Sequence, residues 1–492
     1  MITLFSSGGY INLKKQQERQ DVKKPTLLVA LIPIGFMVIA LFTGIFIYKS
    51  DPHIPLLLSA GVAAIVALRL GYKWKEIEEG MLDAVRMALQ AITILMVIGA
   101  IIGSWIAAGI VPTMIYYGLD ILAPGYFLVA ACAISCIVSI ASGNAWTAAG
   151  TIGIAIMGIG QGLGMNPAMV AGAVISGVYF GDKISPLSET TNLAPGIVGV
   201  ELFEHIKHML YTTIPALVIA LIIYAVMGIK FAGQGTEMSE VQLLQSQLGE
   251  IFTISPWLLL VPSFIIVMMI FKIPALPGLT IGSLLGAICA VVVQKVPVGD
   301  AINILYYGYS INTDIEIVDN LLNNGGIESV LYTVSLIIIA MCFGGVLERT
   351  GIFEAIVQGI LKLAKKTGSL IAATVATCIS ANIVGCDQYL SIIVPGRMYA
   401  AEYEKRGLKA KNLSRTLEDA GTMTSPLVPW NTCGAFMATT LGVATLSYLP
   451  FAFLCLISPI ISIIYGMIGF KIEYKDEVAE KAKSKREQHA VS

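Results

Sequence analysis

Two stretches of this sequence combine charged, hydroxyl and amide side chains within an otherwise apolar chain. Residues 181–195 read GDKISPLSETTNLAP and end a run of 61 residues, 121–181, without Asp, Glu, Lys or Arg. Residues 418–432 read EDAGTMTSPLVPWNT and carry the same Ser-Pro-Leu 240 positions later. Both offer the oxygen atoms that hard cations prefer as ligands, and a proline that frees backbone carbonyls within a helix. The pattern predicts a cation site that is built twice.

Asp387 is the first candidate for a carboxylate that exchanges a proton for a cation. It is the only charged residue between Lys366 and Arg397. A charge at the centre of a membrane helix costs roughly 2.5–3.5 kcal/mol on insertion scales, so such a residue is expected to be functional. The alternative is that Asp387 caps a helix at a water-filled interface. Asp182 is the second candidate carboxylate and Glu189 the third.

Uncharged oxygen ligands for the ion are expected in the same stretches and in their surroundings. The candidates are Asn144, Thr147, Ser185, Thr190, Asn192, Ser425, Asn431 and Thr432. The alternative interpretation of each Ser-Pro-Leu stretch is a polar turn that only satisfies helix ends. Lys183 is expected to neutralise Asp182. In a second interpretation, Lys183 or Arg397 binds a substrate carboxylate.

The composition defines the class of protein that must position these residues. Of 492 residues, 56% are hydrophobic and 13% are charged, against roughly 25% charged in an average soluble domain. We therefore predict an all-α polytopic membrane protein with about 11–13 membrane segments between residues 26 and 470. Residues 72–85 and 201–209 are expected to be interfacial helices or short connections. Residues 1–25 and 471–492 carry clustered Lys and Arg, which predicts that both termini are cytoplasmic.

The chain also repeats itself. Gly103 and Gly109 recur as Gly345 and Gly351, Ser-Gly-Asn at 142–144 resembles Ser-Ala-Asn at 380–382, and Ser-Pro-Leu recurs as described. We place repeat one at about 70–230 and repeat two at about 307–470. The approach to the first repeat is basic and the approach to the second is acidic, which predicts opposite membrane orientations. Inverted repeats with broken helices are typical of secondary transporters, which bind their substrates near the midplane.

The remaining titratable residues predict less. His205 and His208 lie in ELFEHIKHML, which is interpreted as a solvated connecting helix, with pH sensing as the alternative. The eight cysteines have no metal-ligand spacing and are interpreted as packing residues. No P-loop, nucleophile elbow, metal-hydrolase motif or dinucleotide fingerprint is visible, which argues against an ATP-driven pump or an enzyme.

Three long motifs resemble those of the NhaC-type Na⁺/H⁺ antiporters. They are FGDKISPLSETTNLAP at 180–195 with HIKHMLYTT at 205–213, GCDQYLSIIVPGRM at 385–398, and SRTLEDAGTMTSPLVPWNTCGAFM at 414–437. The resemblance covers roughly residues 70 to 470. It implies inverted repeats with re-entrant hairpins and broken helices. The family also contains Na⁺- and H⁺-coupled malate/lactate exchangers and carriers of amino acids, so the resemblance leaves an organic substrate open.

The sequence thus predicts Na⁺/H⁺ antiport across a bacterial-type inner membrane. Na⁺ and H⁺ are the expected ions, and no cofactor and no nucleic acid is expected. A small organic anion, the lipid bilayer and a second copy in a homodimer complete the expected partners. The alternatives are Na⁺- or H⁺-coupled exchange of small carboxylates, an amino acid carrier, and an ion channel. Paired, discontinuous motifs without a continuous polar stripe argue against the channel.

Overall fold

A computed structural model of the chain describes residues 23–232, 238–271, 273–313 and 315–475. Within those residues the regular structure is helical, and extended pairing is limited to two isolated bridges. This confirms the prediction of an all-α polytopic membrane protein. Most of the predicted cytoplasmic segments, 1–25 and 471–492, lies outside the described residues.

The first half of the described chain begins with five helices that precede the first helix break, at residues 143–144. These are α1 (Leu27–Phe42), α2 (His53–Arg69), α3 (Trp74–Ala107), α4 (Ile110–Ile121) and α5 (Pro124–Ser142). After the break come α6 (Ala145–Ala148), a π-helical turn (Ala149–Gly153), α7 (Ile154–Gly162), α8 (Pro167–Ile184), α9 (Glu189–Val198) and α10 (Leu202–Ala232).

The second half follows a similar order after a set of peripheral helices. The peripheral helices are α11 (Met238–Ile251), α12 (Leu260–Ile270), α13 (Ala275–Val292), α14 (Val298–Tyr307) and α15 (Glu316–Leu322). Then come α16 (Ile327–Arg349), α17 (Ile352–Leu361), α18 (Thr367–Val384), α19 (Gln388–Lys405) and α20 (Ala410–Leu417). A π-helical turn (Glu418–Thr422) and a 3₁₀ turn (Ser425–Leu427) lead to α21 (Thr432–Leu441), α22 (Thr445–Tyr448) and α23 (Phe453–Ile468).

The described helices include enough long apolar segments for a polytopic protein. Seven of them can cross a membrane by length and composition, or nine if two bent helix pairs each count as one span. The helices α2, α4, α17 and α23 are apolar but shorter. The predicted total of about 11–13 segments depends on which short and broken helices cross, and it stays a prediction.

Two predicted connections are parts of long helices instead. Residues 74–85 form the first turns of α3, which has 34 residues, and residues 202–209 form the first turns of α10, which has 31. The expectation of separate interfacial segments was wrong. Strong helix formers join each charged stretch to the apolar stretch that follows, so the helix continues across the change in composition.

The breaks between helices recur with an offset of 243 residues. Backbone positions with positive φ form three such pairs: Gly143 with Cys386, Gly164 with Gly407, and Gly199 with Gly442. This spacing pairs Asn144 with Asp387, so the sequence pairing of Asn144 with Asn382 was wrong. The recurrence supports the predicted repeats, and their opposite orientation in the membrane stays a prediction.

The first long helices of the two predicted repeats, α3 and α16, pack closely along each other. A Cβ atom added at Gly345 of α16 would lie 2.3 Å from the carbonyl oxygen of Gly80 in α3 and 2.7 Å from the Cβ of Ala84. The two backbones therefore approach where neither helix carries a side chain. Small residues at such a crossing allow the van der Waals packing that holds membrane helices together.

We expect Gly345→Ala to destabilise the protein by about 1–3 kcal/mol, because the new methyl group overlaps a backbone oxygen that cannot move freely. Thermal unfolding of the purified protein in detergent measures the loss. Gly35→Ala in α1 is the matched control, since a Cβ there meets nothing within 4 Å. Alanine favours helix over glycine, so Gly35→Ala should be neutral or stabilising. Equal behaviour of the two variants would contradict the close packing.

Candidate functional site

Six helices, α3, α6, α8, α9, α19 and α21, enclose a cavity of about 150 Å³. Its lining combines carboxylates, amides and hydroxyls with a few apolar side chains. The lining residues are Met87, Gln90, Ala91, Ile94, Asn144, Ala145, Trp146, Asp182, Glu189, Thr190, Asp387, Gln388, Tyr389, Thr432 and Cys433. Such a volume holds a small cation with a few water molecules, each of which occupies about 30 Å³ in the liquid.

The cavity lies halfway along the longest described helix. α3 has 34 residues and is therefore about 51 Å long, and it touches the cavity with Met87, Gln90, Ala91 and Ile94. Gln90 is the seventeenth residue of this helix. The sequence of α3 changes from charged to apolar after Arg86, so the cavity lies beside the start of the apolar part of this helix.

Asp387 caps the helix that begins at this cavity in the second half of the chain. Its Oδ1 accepts hydrogen bonds from the backbone N–H groups of Tyr389 (2.8 Å) and Leu390 (3.2 Å), the first turn of α19. Its Oδ2 lies 3.4 Å from the hydroxyl oxygen of Thr432. One carboxylate oxygen is thus engaged in holding the backbone, and the other is available to a proton or a cation.

Asn144 performs the same backbone role in the first half of the chain. Its Oδ1 accepts from the N–H groups of Trp146 (2.9 Å) and Thr147 (3.1 Å) at the start of α6. Asn144 and Asp387 therefore hold equivalent helix ends with side chains of almost the same shape. Only Asp387 can change its charge.

Two more helices begin at the cavity, and each has its own cap. The Ser188 hydroxyl lies 3.4 Å from the backbone nitrogen of Thr191 in α9, and Asn431 Oδ1 accepts from the N–H of Cys433 in α21 at 3.0 Å. The Nδ2 of Asn431 also donates to the side-chain and backbone oxygens of Asn382, both at 3.1 Å. Ser188 and Asn431 are again 243 positions apart, so Asn431 corresponds to Ser188.

The electrostatics of the cavity combine helix ends with carboxylates. The N-terminus of a helix carries roughly half a positive charge, so four of them contribute about two positive charges. Asp182, Glu189 and Asp387 contribute three negative charges when ionised. The balance is a small excess of negative charge, which one monovalent cation offsets.

Glu189 lies at the mouth of the cavity, where it joins both halves of the chain. It accepts a short hydrogen bond from the hydroxyl of Tyr389 in α19, and Gln90 Nε2 of α3 donates to its other oxygen at 3.3 Å. Glu189 and Gln90 are exposed, whereas Asp182 and Asp387 are buried. The polar lining of the cavity therefore extends from exposed side chains, Glu189 and Gln90, to two buried aspartates.

The structure brings together some of the predicted site residues and separates others. Those that line the cavity are Asp387, Asp182, Glu189, Asn144, Thr190 and Thr432. Thr147 and Asn431 stand one layer behind them, in the caps just described. The Ser185 hydroxyl donates to Ile140 O of α5 at 3.0 Å and so joins its turn to that helix. The Ser425 hydroxyl donates to Thr422 O at 2.7 Å, within its own turn.

Asn192 is a predicted site residue that does not line the cavity. It is exposed on α9 and donates to Pro186 O (2.9 Å) and Ser188 O (2.6 Å). The bond to Pro186 O occupies a carbonyl oxygen of the Ser-Pro-Leu break, which was expected to be available to an ion. In the second half, Pro426 O accepts from the hydroxyl of Tyr448 at 2.6 Å. The carbonyls freed by the two breaks are thus satisfied by the protein itself.

Lys183 does not neutralise Asp182, and the predicted pairing of these neighbours was wrong. Consecutive residues of a helix point about 100° apart, so Asp182 reaches the cavity while Lys183 points behind it. The Nζ of Lys183 lies 2.5 Å from Asp419 Oδ1 and 3.1 Å from Ser458 Oγ, with both charged side chains fully buried. Thr212 Oγ1 also donates to this Asp419 oxygen at 2.8 Å.

The other predicted basic residue is also distant from the cavity. Arg397 lies ten residues after Asp387 on α19, about 15 Å along the helix axis. It lines a separate pocket of about 120 Å³ with Glu348 and Glu354. Among the described residues that line the cavity between the six helices, none is Lys or Arg.

His205 and His208 are buried, so the interpretation of a solvated connecting helix was wrong. His205 Nδ1 lies 2.8 Å from the Ser414 hydroxyl of α20. His208 is 2% exposed, and its Nδ1 lies 3.7 Å from a carboxylate oxygen of Glu473. The segment reads as solvated because of its charged neighbours, but α20 covers the histidine side of α10.

Several polar residues of the site region had no role in the sequence analysis. Gln388 and Tyr389 line the cavity next to Asp387, and Gln388 Oε1 lies 2.7 Å from Cys433 Sγ. Glu418 and Asp419 are both fully buried. Their position in the sequence could have identified them. Glu418 and Asp419 precede the second Ser-Pro-Leu by seven and six residues, and Asp182 precedes the first by three. Within the described parts of the chain, no cluster of His, Cys, Asp and Glu has the arrangement of a bound metal centre.

Paired helix breaks around a carboxylate-lined cavity in a helical membrane protein are typical of secondary transporters. The chain belongs to the Na⁺/H⁺ antiporter family, whose sequence profile matches residues 177–470. This confirms the resemblance seen in the three motifs.

Curated relatives match almost the whole chain. The Na⁺/H⁺ antiporter NhaC of Alkalihalophilus pseudofirmus is 41% identical over 460 residues, which cover 93% of this chain and 99% of the relative. The malate-2H⁺/Na⁺-lactate antiporter of Bacillus subtilis is 40% identical over 464 residues, covering 94% and 99%. The Na⁺/H⁺ antiporter NhaC of Bacillus subtilis is 37% identical over 447 residues, covering 91% and 99%.

We expect Lys183→Met to destabilise the protein by about 3–5 kcal/mol, because Asp419 would remain buried without its partner. Thermal unfolding in detergent measures the loss, and the double variant with Asp419→Asn should recover part of it. Arg86→Met is the control, since Arg86 and its partner Asp83 are 73% and 58% exposed and such pairs contribute about 1 kcal/mol or less. Similar losses in Lys183→Met and Arg86→Met would show that the buried pair is not formed.

Proposed function

We propose that this protein exchanges Na⁺ for H⁺ across the cell membrane, with Asp387 as the carboxylate that binds the two ions alternately. The observation that carries the proposal is the divided bonding of Asp387. Oδ1 is fixed by the N–H groups of Tyr389 and Leu390, whereas Oδ2 faces the cavity and the Thr432 hydroxyl. A proton and a Na⁺ ion cannot occupy Oδ2 together.

The surroundings of Asp387 favour competition between the two ions. A carboxylate removed from water is stabilised by accepting a proton or by a nearby cation. Asp182 and the hydroxyls of Thr190 and Thr432 supply further oxygen atoms around the same space. Oxygen is the ligand that a hard cation such as Na⁺ prefers. A proton and a Na⁺ ion therefore stabilise the Asp387 carboxylate to a similar extent, and each can displace the other.

Exchange also requires that the cavity open to each side of the membrane in turn. Two contacts join the halves of the chain around it: the hydrogen bond between Glu189 and Tyr389, and the stacking of Trp146 on Phe436 with ring centroids 4.2 Å apart. A relative movement of the halves must break or rearrange these contacts. Neutralising the negative cavity with one ion lowers the electrostatic cost of closing it, which couples occupancy to movement.

The lining argues against a carboxylate substrate in this cavity. A malate or lactate ion would meet Asp182, Glu189 and Asp387. We therefore favour the inorganic cation over the malate/lactate and amino acid alternatives.

The reconstituted protein should dissipate an imposed pH gradient when Na⁺ is added alone. Malate, lactate or arginine added with Na⁺ should not accelerate the dissipation, because the cavity charge is satisfied by the cation. The measurement is the fluorescence of a pH-sensitive dye inside proteoliposomes, with choline in place of Na⁺ as the control. A requirement for any of the organic solutes would overturn the proposed Na⁺/H⁺ exchange.

Asp387→Asn should abolish Na⁺-dependent proton movement and weaken Na⁺ binding by about 10- to 100-fold, since a charge-assisted contact contributes about 1.5–3 kcal/mol. The variant should still fold, because Asn144 caps the equivalent helix with an amide oxygen. Asp83→Asn, an exposed acid on α3, is the matched control and should transport normally. Full Na⁺/H⁺ exchange by Asp387→Asn would exclude Asp387 as the exchanging group.

A further inference from the structure

Gln388 is a cavity residue to which the exchange at Asp387 assigns no role. It is the first residue of α19, is 7% exposed, and lines the cavity beside Asp387. Its Oε1 lies 2.7 Å from the Sγ of Cys433, the second residue of α21, which also lines the cavity. The contact between the amide oxygen and the thiol is therefore formed between two residues of the cavity wall.

The starts of α19 and α21 are joined by contacts between successive residues. The backbone N–H of Thr432 donates to Cys386 O at 3.0 Å, and the Oγ1 of Thr432 lies 3.4 Å from Asp387 Oδ2. The contact between Gln388 and Cys433 is the next along both helices. The amide oxygen of Gln388 is therefore held beside the carboxylate oxygen of Asp387 that is available to an ion.

Gln388 carries an amide oxygen that still has room for a cation. Three of the described lining residues have amide side chains: Gln90, Asn144 and Gln388. Gln90 bonds to Glu189 at the exposed mouth, and Asn144 Oδ1 accepts from two backbone N–H groups of α6. The Oε1 of Gln388 instead meets a thiol, which is a weak donor, and a carbonyl oxygen has two lone pairs. This oxygen can therefore bind a cation and keep its contact with Cys433.

The backbone does not require an amide at this position. With the offset of 243 residues, Gln388 corresponds to Ala145 and Cys433 to Thr190. The first half thus forms the equivalent helix starts with alanine in place of glutamine. The Thr190 hydroxyl lies 3.1 Å from the Ser188 hydroxyl on its own helix start, so the contact across to the neighbouring helix is replaced by a local one. The amide and the thiol are therefore features of the site in the second half.

We propose that Gln388 supplies a further oxygen ligand to the Na⁺ ion bound at Asp387, and that the Cys433 thiol positions this oxygen. The inference rests on the Na⁺/H⁺ exchange proposed above. Oxygen is the ligand type that a hard cation prefers, and an oxygen that is already oriented loses less freedom when the ion binds. A proton on Asp387 forms a bond to one carboxylate oxygen and needs no further ligand. Gln388 therefore favours Na⁺ in the competition between the two ions.

The test measures the Na⁺ concentration that gives half-maximal dissipation of a pH gradient in proteoliposomes. Gln388→Met keeps the length of the side chain and removes its oxygen, so this concentration should rise about 10-fold, as for loss of one contact to a charge. The maximal rate should be unchanged, because saturating Na⁺ compensates for the lost ligand. Calorimetric titration of the purified protein with NaCl should show the same loss of affinity. Gln358→Met is the matched control, since Gln358 is exposed on α17.

Variants of Cys433 test the positioning of the oxygen from the other helix, and they decide the case in which Gln388→Met fails to fold. Cys433→Ala removes the donor and should raise the half-maximal Na⁺ concentration by about 2- to 10-fold, as for loss of one neutral hydrogen bond. Cys433→Ser keeps a donor and should restore the original value. Cys289→Ala on the peripheral helix α13 is the matched control and should transport normally.

The outcomes separate this inference from the proposed exchange. An unchanged half-maximal Na⁺ concentration in Gln388→Met, with or without a lower maximal rate, overturns the ligand role while exchange at Asp387 stands. Equal values for Cys433→Ala and Cys433→Ser overturn the positioning by the thiol. If the unsubstituted protein moves no protons in response to Na⁺, the proposed Na⁺/H⁺ exchange fails, and the ligand role fails with it.

Discussion

A helix that begins inside the hydrocarbon leaves its first backbone N–H groups without water to bind, and each unsatisfied group costs several kcal/mol. Four helices of this protein begin around one cavity within the helical bundle. Their caps, Asn144, Ser188, Asp387 and Asn431, satisfy those groups from within the chain. The rest of the site depends on this constraint, because two of the side chains that satisfy the backbone, Asn144 and Asp387, are also polar groups that line the cavity.

The constraint explains how a nearly symmetric scaffold can contain an asymmetric site. Asn144 and Asp387 accept hydrogen bonds from the same positions of equivalent helices, so the backbone requirement alone would allow either residue in either place. Only the carboxylate can also exchange an ion. The interpretation of Asp387 as a cap, which the sequence left as an alternative to function, is therefore compatible with function. One oxygen caps the helix and the other remains available.

The sequence predicted the helical membrane fold, the breaks and the isolated carboxylates, because each is a local departure from apolar composition. It did not predict which oxygens face the cavity. Ser185 and Ser425 lie at the breaks, where the chain turns and helical periodicity no longer defines a direction. Nor could it identify the partner of Lys183, which is 236 residues away in sequence. The π-helical turn Glu418–Thr422 after α20 interrupts the α-helical periodicity from which the directions of the following side chains would be predicted.

The positions of the two basic candidates bear on substrate choice within the family, whose members include a malate-2H⁺/Na⁺-lactate antiporter. The helix caps are a backbone requirement of the fold and therefore do not discriminate between a cation and a carboxylate. Discrimination must come from the side chains that line the cavity and are free to change charge. In this chain Lys183 is bonded to Asp419, and Arg397 lies in a separate pocket with Glu348 and Glu354. Moving Lys183 towards the cavity would leave the buried Asp419 unpaired, which is strongly unfavourable. The ion pair behind the cavity therefore keeps the Lys183 charge away from the proposed cation site.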